Sequence, residues 1–322
     1  MKKNTIMKMA ATVTTGILGL SMIGCGQKTG DVNVAEETKK VVRTFFNEYQ
    51  DYKTFGDMSF TFERDSEQSM YDELTYKKTA DGEEITENVK VEEFISDLSF
   101  TFSVKRIDGT VWLDMEYTET EKRTNVLLLA ETLLLETREE FVTTVTKVES
   151  GKIGEEYFIR KSVSRTKDKG EPVETKMYQR YDQASYESII DYFLGGVLDD
   201  YFLDAYNMWG MSSVLSKAMD AKITKEKDTL KLSAEMATYN VYDLEISGQH
   251  MKMKSELGKN GLKSISVDMV VEEGNRQKQD ATQTLKINYA SDIQEITNAY
   301  EGYEEGSVDI YDIPDFELGF IG

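Results

Sequence analysis

Cys25 is the only cysteine in 322 residues, and His250 is the only histidine. Any His-dependent triad or metal site would have to be built on His250. It lies in the strand-like run Ser247-Gly248-Gln249-His250-Met251-Lys252-Met253 with no ligand set beside it, and reads as a plain strand histidine. Zinc sites of the usual His/Cys type are excluded by inventory. No HExxH and no GxSxG occurs. Ser164-Arg165-Thr166-Lys167 fits SxxK and Lys28-Thr29-Gly30 fits KTG, two fragments of a serine acyltransferase. The SxxK stands at a strand end, where the lysine points away from the serine, and the KTG precedes it in the wrong order, so both are chance matches. Gly24-Cys25-Gly26 with Gly30 misses the dinucleotide fingerprint by one residue. Asp309, Asp312 and Asp315 recur every three residues, and Asp199, Asp200 and Asp204 cluster upstream. Neither group has the alternating ligands, central glycine and terminal glutamate of a calcium loop. The expectation is a protein with no catalytic residues, no cofactor and no metal.

Cys25 is different, because its surroundings give it chemistry. Lys2, Lys3 and Lys8 form a basic start, and Met9 to Gly24 form an apolar, small-residue stretch, which together make a secretory signal. The run Ser21-Met22-Ile23-Gly24-Cys25 resembles a bacterial lipobox, with Met22 where leucine is usual. The resemblance implies cleavage before Cys25 and diacylation of its thiol; the alternative is an ordinary cleaved signal with an incidental cysteine. The apolar stretch is shorter than the ~20 residues of a spanning helix, and the longest later apolar run is Val126 to Ala130. Membrane attachment therefore rests on acylation, which is stable with two or more chains and marginal with one. The expected location is extracytoplasmic, on the bacterial cell membrane.

Charge narrows the partners. The chain carries 38 Lys and Arg against 59 Asp and Glu, a net charge of −21. Removing residues 1–24 takes away three lysines and no acid, which deepens the excess to −24. Nucleic acid requires a basic footprint and is excluded as a partner. Electrostatic adhesion to an anionic membrane face is disfavoured as well. Without a free thiol or disulfide the mature chain must rely on its core, and chains near 300 residues bury about three quarters of their unfolded surface.

The elements follow from periodicity. Residues 36–52 place Val41, Val42, Phe45, Phe46 and Tyr49 at helical spacing. The period then becomes two in 59–62, 98–104 and 111–117, and the pairs Asp81-Gly82, Asp108-Gly109 and Asn260-Gly261 have hairpin chemistry. Ser150-Gly151 and Lys169-Gly170 are read as turns. Further strands are expected at 140–149, 153–166, 174–183, 222–227, 229–237, 240–256, 262–272 and 277–289. The leucines of 124–136 fit a buried strand or a short helix, and we read a strand. Residues 184–209 carry an apolar stripe at helical spacing, with Gly195-Gly196 weakening its middle by up to about 1 kcal/mol per glycine. They are read as two short helices or one kinked helix. Residues 291–300 look helical, and 310–320 extended. The expected fold is α+β: one large curved antiparallel sheet, a half-barrel, with an N-terminal helix and inserted helices on its concave face. The domain reading is a signal peptide at 1–24, an acylated cysteine and flexible tether at 25–35, and one domain at 36–322.

That element order behind a lipobox resembles the lipoprotein-carrier superfamily of LolA and its acylated relatives. The resemblance implies a cavity between sheet and helices that accepts acyl chains or another apolar ligand. Phe193, Val197, Phe202 and Trp209 are the candidate ligand-binding residues, from the aromatic stripe of the inserted helices. The first expectation is thus a non-catalytic anchored lipoprotein that binds an apolar ligand. The second is a structural or regulatory lipoprotein of the envelope that meets a protein partner, and an enzyme comes third.

Overall fold

A computed structural model describes residues 57–198, 220–227, 229–242, 245–258, 261–273 and 276–310. Twelve strands form one sheet: β1 (Met58–Lys77), β2 (Glu84–Ile107), β3 (Thr110–Leu129), β4 (Leu134–Ile153), β5 (Glu156–Lys167), β6 (Val173–Tyr181), β7 (Asp220–Glu226), β8 (Thr229–Tyr242), β9 (Glu245–Gly258), β10 (Gly261–Glu273), β11 (Gln277–Asn288) and β12 (Glu304–Glu305). Helix α1 (Gln183–Leu198) lies between β6 and β7. The strand order is β12-β6-β5-β4-β3-β2-β1-β11-β10-β9-β8-β7. Two meanders, β1–β6 and β7–β11, are therefore fused where β1 pairs antiparallel with β11, from Ser59↔Asn288 to Met70↔Gln277. Only β12 is parallel to its neighbour, β6.

This corrects the expected fold class. The chain is mostly β, and α1 is the one helix among the described residues, so the balanced α+β half-barrel roofed by several helices is not what forms. Two local readings are corrected as well, the first of which fed the helix excess. Residues 291–300 are irregular instead of helical, because their carbonyls are taken by basic side chains of the sheet: Lys105 Nζ donates to Ile293 O at 3.0 Å, and Arg160 Nη1 to Asn298 O and Ala299 O at 3.3 and 3.2 Å. The apolar groups of this segment, Ile293, Ile296, Ala299 and Tyr300, pack on Trp112 and Phe158. Residues 124–136 are not one strand but the tip of the β3–β4 hairpin. The N-terminal helix expected at 36–52 and the stripe beyond Leu198 lie outside the described residues. Within them, α1 continues without a break over Gly195-Gly196.

Strand alternation assigns the two faces of the sheet. One face carries Phe60, Phe62, Phe100, Phe102, Met115, Tyr117, Val148, Ile265, Val267 and Leu285, all buried. Phe60 stacks on Phe102 at 5.0 Å and meets Phe100 edge-on at 5.5 Å, contacts worth about 0.5–1.5 kcal/mol each beyond area burial. The other face is Ser-, Thr- and charge-rich, except over β3–β5, where Trp112 and Phe158 are buried beneath the segment 291–300. Ser150-Gly151, expected as a turn, lies inside β4, and the turn comes three residues later at Gly154, whose φ is +60°. Gly151 is there to let a side chain pass: a Cβ built on it would stand 2.5 Å from Cδ2 of Trp112, which packs across its backbone.

The first four strands outrun this core. At about 3.3 Å per residue, the 20 residues of β3 extend roughly 65 Å. Strand β11 stops pairing at Met70 of β1, and β5 stops at Val142 of β4. Beyond those points only β1–β4 continue, with residues that are exposed or half-buried except Tyr76, whose hydroxyl bonds Glu87. The far end is tied by Lys77 N donating to Leu133 O at 2.8 Å, which joins β1 to the β3–β4 turn.

Candidate functional site

The expected ligand site was to form beneath the inserted helix. Helix α1 opens on Asp182, whose carboxylate accepts from Ser185 N at 2.9 Å and Ser185 Oγ at 2.7 Å; these bonds hold its pKa below the usual value. The helix then buries Tyr186, Ile190, Phe193 and Leu194. Phe193 is only 4% exposed, so it reaches a ligand only if the helix moves. The side chain of Val197, and all of Phe202 and Trp209, lie outside the described residues, as does Cys25. The tyrosine that sequence reasoning passed over is the fixed point here. Tyr186 Oη lies 3.0 Å from Ser150 Oγ and donates to the carbonyl of Val111, and its ring lies 5.0 Å from that of Tyr157. Burial pushes its pKa up, so the phenol stays neutral and serves as a bolt between helix and sheet. The space beside it is about 240 Å³ and is lined by Arg106, Glu187 and Asp191 as well as Tyr157 and Ile190.

A larger hollow, about 680 Å³, lies over β7–β11. Its lining includes Lys231, Ser233, Lys254, Ser264, Ser266 and Thr284, the outward-facing residues of adjacent strands. Ser255 borders it through the main chain, since its side chain points to the apolar face opposite Ile265. With no aromatic platform, this surface is a solvated sheet face.

The most connected polar cluster lies on β3–β5 under the segment 291–303. Arg160 places Nε and Nη2 each 2.8 Å from Glu149 Oε2, and both side chains are mostly buried. Lys147 Nζ stands 3.2 Å from Glu149 and 3.9 Å from Asp114. Burial raises the pKa of Asp114, with Lys147 partly offsetting it. Burial also opposes the charge of Lys147, but Glu149 and Asp114 outweigh that and leave its pKa raised. Arg160 further lies 4.8 Å from the Tyr303 ring centroid. Every member of this set is spent on its neighbours and on the overlying chain, so it is a clamp. Beyond it the chain rounds the β6 edge: Gly306 N donates to Tyr178 O at 2.9 Å, and Val308 N donates to Gln179 Oε1 at 2.9 Å.

The remaining motifs resolve simply. His250 Nε2 lies 2.7 Å from Glu235 Oε1, a cross-sheet pair on the solvated face. Ser164 and Lys167 fall on opposite faces of β5, and Lys167 pairs with Glu140 at 2.6 Å. Among the described residues no three His, Cys, Asp or Glu side chains converge on a metal position. Of the two acidic clusters, only Asp309 lies within them.

What stands out instead is the tip of the β3–β4 hairpin. Leu127, Leu128 and Leu129 are 39%, 37% and 38% exposed, and Leu134 and Leu135 stand across from them. Leu133 adopts φ +58°, in the left-handed region that favours glycine or asparagine and costs a bulky residue about 1–2 kcal/mol. Runs of exposed leucine and backbone strain of this kind are retained where they serve a contact.

No protein-family model matches the chain, and no curated protein matches it. Among solved structures, an outer membrane channel from Pseudomonas putida F1 is similar over 72% of this chain and 96% of its own, at 8% identity and a TM-score of 0.15. The translocator domain of the autotransporter NalP from Neisseria meningitidis is similar over 78% and 96%, at 6% identity and a TM-score of 0.19. At these scores neither similarity bears on this chain's function.

Proposed function

We propose that this chain is a non-catalytic lipoprotein of the bacterial envelope, extracytoplasmic and held to the membrane by acylated Cys25, that acts by docking the leucine-rich end of its long sheet on an apolar partner. The observation that carries the reading is the exposed run Leu127-Leu128-Leu129 on a strained turn, at the end of a sheet that outruns its own core. Seven apolar residues, Val126 to Leu129 and Leu133 to Leu135, sit where a free hairpin would carry polar ones. The interaction reading is favoured over a ligand enclosed beside α1, because acyl-sized ligands need several hundred Å³ of apolar space. The space there is about 240 Å³ with three charged residues in its lining.

The test uses the absence of any other thiol. With Cys25 acylated, Leu128→Cys supplies a unique reactive site in the anchored chain. In membranes isolated from the host, a water-soluble maleimide is expected to modify it at less than about a tenth of the rate at Ser99→Cys, an exposed control on the solvated face. Comparable rates at the two positions would show a free tip and end the docking reading.

A further inference from the structure

Resting on that docking reading, we infer that the partner of the leucine tip is the lipid bilayer itself: the β3–β4 hairpin lodges obliquely in the outer leaflet of the membrane that holds Cys25. The first argument is the distribution of the leucines. In the pairing of β3 with β4, Leu128 stands opposite Leu135 and Leu129 opposite Leu134. Alternation puts Leu127, Leu129 and Leu134 on one face of the hairpin and Leu128 and Leu135 on the other. A groove on a protein covers one face of a strand pair and leaves the other to water. An interface that surrounds the hairpin accepts both, and an acyl layer is such an interface.

The second argument is reach. Residues 26–56 connect Cys25 to the sheet and can span at most about 110 Å at 3.3–3.6 Å per residue. The sheet is roughly 65 Å long, so the tip can return to the anchoring membrane from either end. A surface on the same tether is met at high effective concentration, and a shallow contact suffices to hold it. The third argument is charge. Beside the tip Glu136, Glu139 and Glu140 are matched by Arg138, Lys122 and Lys167, while the chain as a whole is net −21. Two copies would repel through that overall charge, and so would an anionic surface, so the lipid is neutral or zwitterionic. Glu131 at the turn keeps the lodging shallow, with the leucines reaching sideways into the acyl boundary.

The experiment uses the purified acylated chain in phosphatidylcholine vesicles at low protein-to-lipid ratio. An environment-sensitive fluorophore is attached at Leu128→Cys, at Leu127→Cys on the opposite face, or at Ser99→Cys. Lipids bearing a spin-label quencher on the upper acyl chain are expected to remove at least half the emission at Leu128→Cys and Leu127→Cys and to leave Ser99→Cys unchanged. Quenching at only one of the two leucine positions would indicate a one-sided contact and overturn the inference. A label shielded from aqueous iodide but not quenched by lipid would reveal a second copy as the partner, since no other protein is present. A label open to iodide in vesicles but protected in host membranes would point to a protein partner. Each of these last two results rejects the bilayer while leaving the docking reading intact; exposure in both settings rejects both.

Discussion

Gly151→Ala is expected to cost about 2–4 kcal/mol, although it adds a single methyl. The new Cβ would stand 2.5 Å from Cδ2 of Trp112, far inside contact distance. The indole has nowhere to go: it meets Phe158 edge-on at 6.2 Å and is packed by Ile107, Ile153 and the overlying Ala299. Either the ring stays and strains its neighbours, at about 1–3 kcal/mol, or it is forced out and forfeits part of the 3–5 kcal/mol of a buried aromatic. At about 2–4 °C per kcal/mol the melting temperature should fall by roughly 5–15 °C. Thermal and denaturant unfolding measure this, and Trp112 emission in a Trp209→Phe background should shift red. Gly195→Ala is the control, since a Cβ at Gly195 meets nothing within 4 Å. In the last turn of α1 it should gain up to about 1 kcal/mol. A Gly151→Ala effect within about 0.5 kcal/mol, or one matching Gly195→Ala, would refute the steric argument.

Four further outcomes are expected. Cys25→Ser should abolish incorporation of a fatty-acid analogue, and label retained in the variant would end the lipoprotein reading. Arg160→Met should cost about 2–3 kcal/mol, below the 3–5 of a wholly unpaired buried charge because Lys147 still faces Glu149; hydrogen exchange should speed up at 293–308 while 262–272 stays unchanged, and an unaltered 293–308 would dismiss the clamp. Asp114 has its pKa raised in the folded chain, so its contribution to stability is full below the ordinary aspartate pKa and is lost as pH rises through the folded value. Asp114→Asn should accordingly melt slightly higher than the parent at pH 7, with the gain gone by about pH 3; a variant less stable at pH 7 contradicts this. Leu133→Gly should relieve the left-handed strain and stabilise the fold by up to about 1 kcal/mol while weakening protection of the tip from maleimide; destabilisation would mean that the leucine earns its place by packing.

Strands with one buried face were legible in the sequence. The alternation at 98–104 and 111–117 matches the buried–exposed rhythm of β2 and β3, and Asp108-Gly109 turns between them with both φ values positive, 47° and 83°. The signal fades where both faces meet water. Strand β1 was visible only at 59–62, because from Glu63 onward its residues are polar or only partly buried, Ser69 and Tyr76 excepted, and show no apolar period. Gly151 was misread because a glycine next to a serine has the composition of a turn, and only the position of Trp112 on the neighbouring strand, one hairpin turn upstream, reveals its steric purpose. The segment 291–300 has helical spacing of apolar groups, but tertiary donors from Lys105 and Arg160 displaced the local hydrogen bonds that spacing assumes. At the site, leucine spacing could not separate a buried strand from an exposed hairpin, since the two differ only in what lies alongside.

The seam between β1 and β11 has a consequence for biogenesis. Ser59 Oγ reaches the carbonyl of Ala290, 231 positions along the chain. A polypeptide made N-terminus first can assemble the β1–β6 meander from local hairpins as it emerges, but one flank of β1 then has no neighbour until the last strands arrive. Non-local pairing of this kind is slow, and an open flank beside Phe60 and Phe62 invites association with other nascent chains. Maturation should therefore be limited by closure of this seam, and the half-built meander is the species on which a chaperone would act.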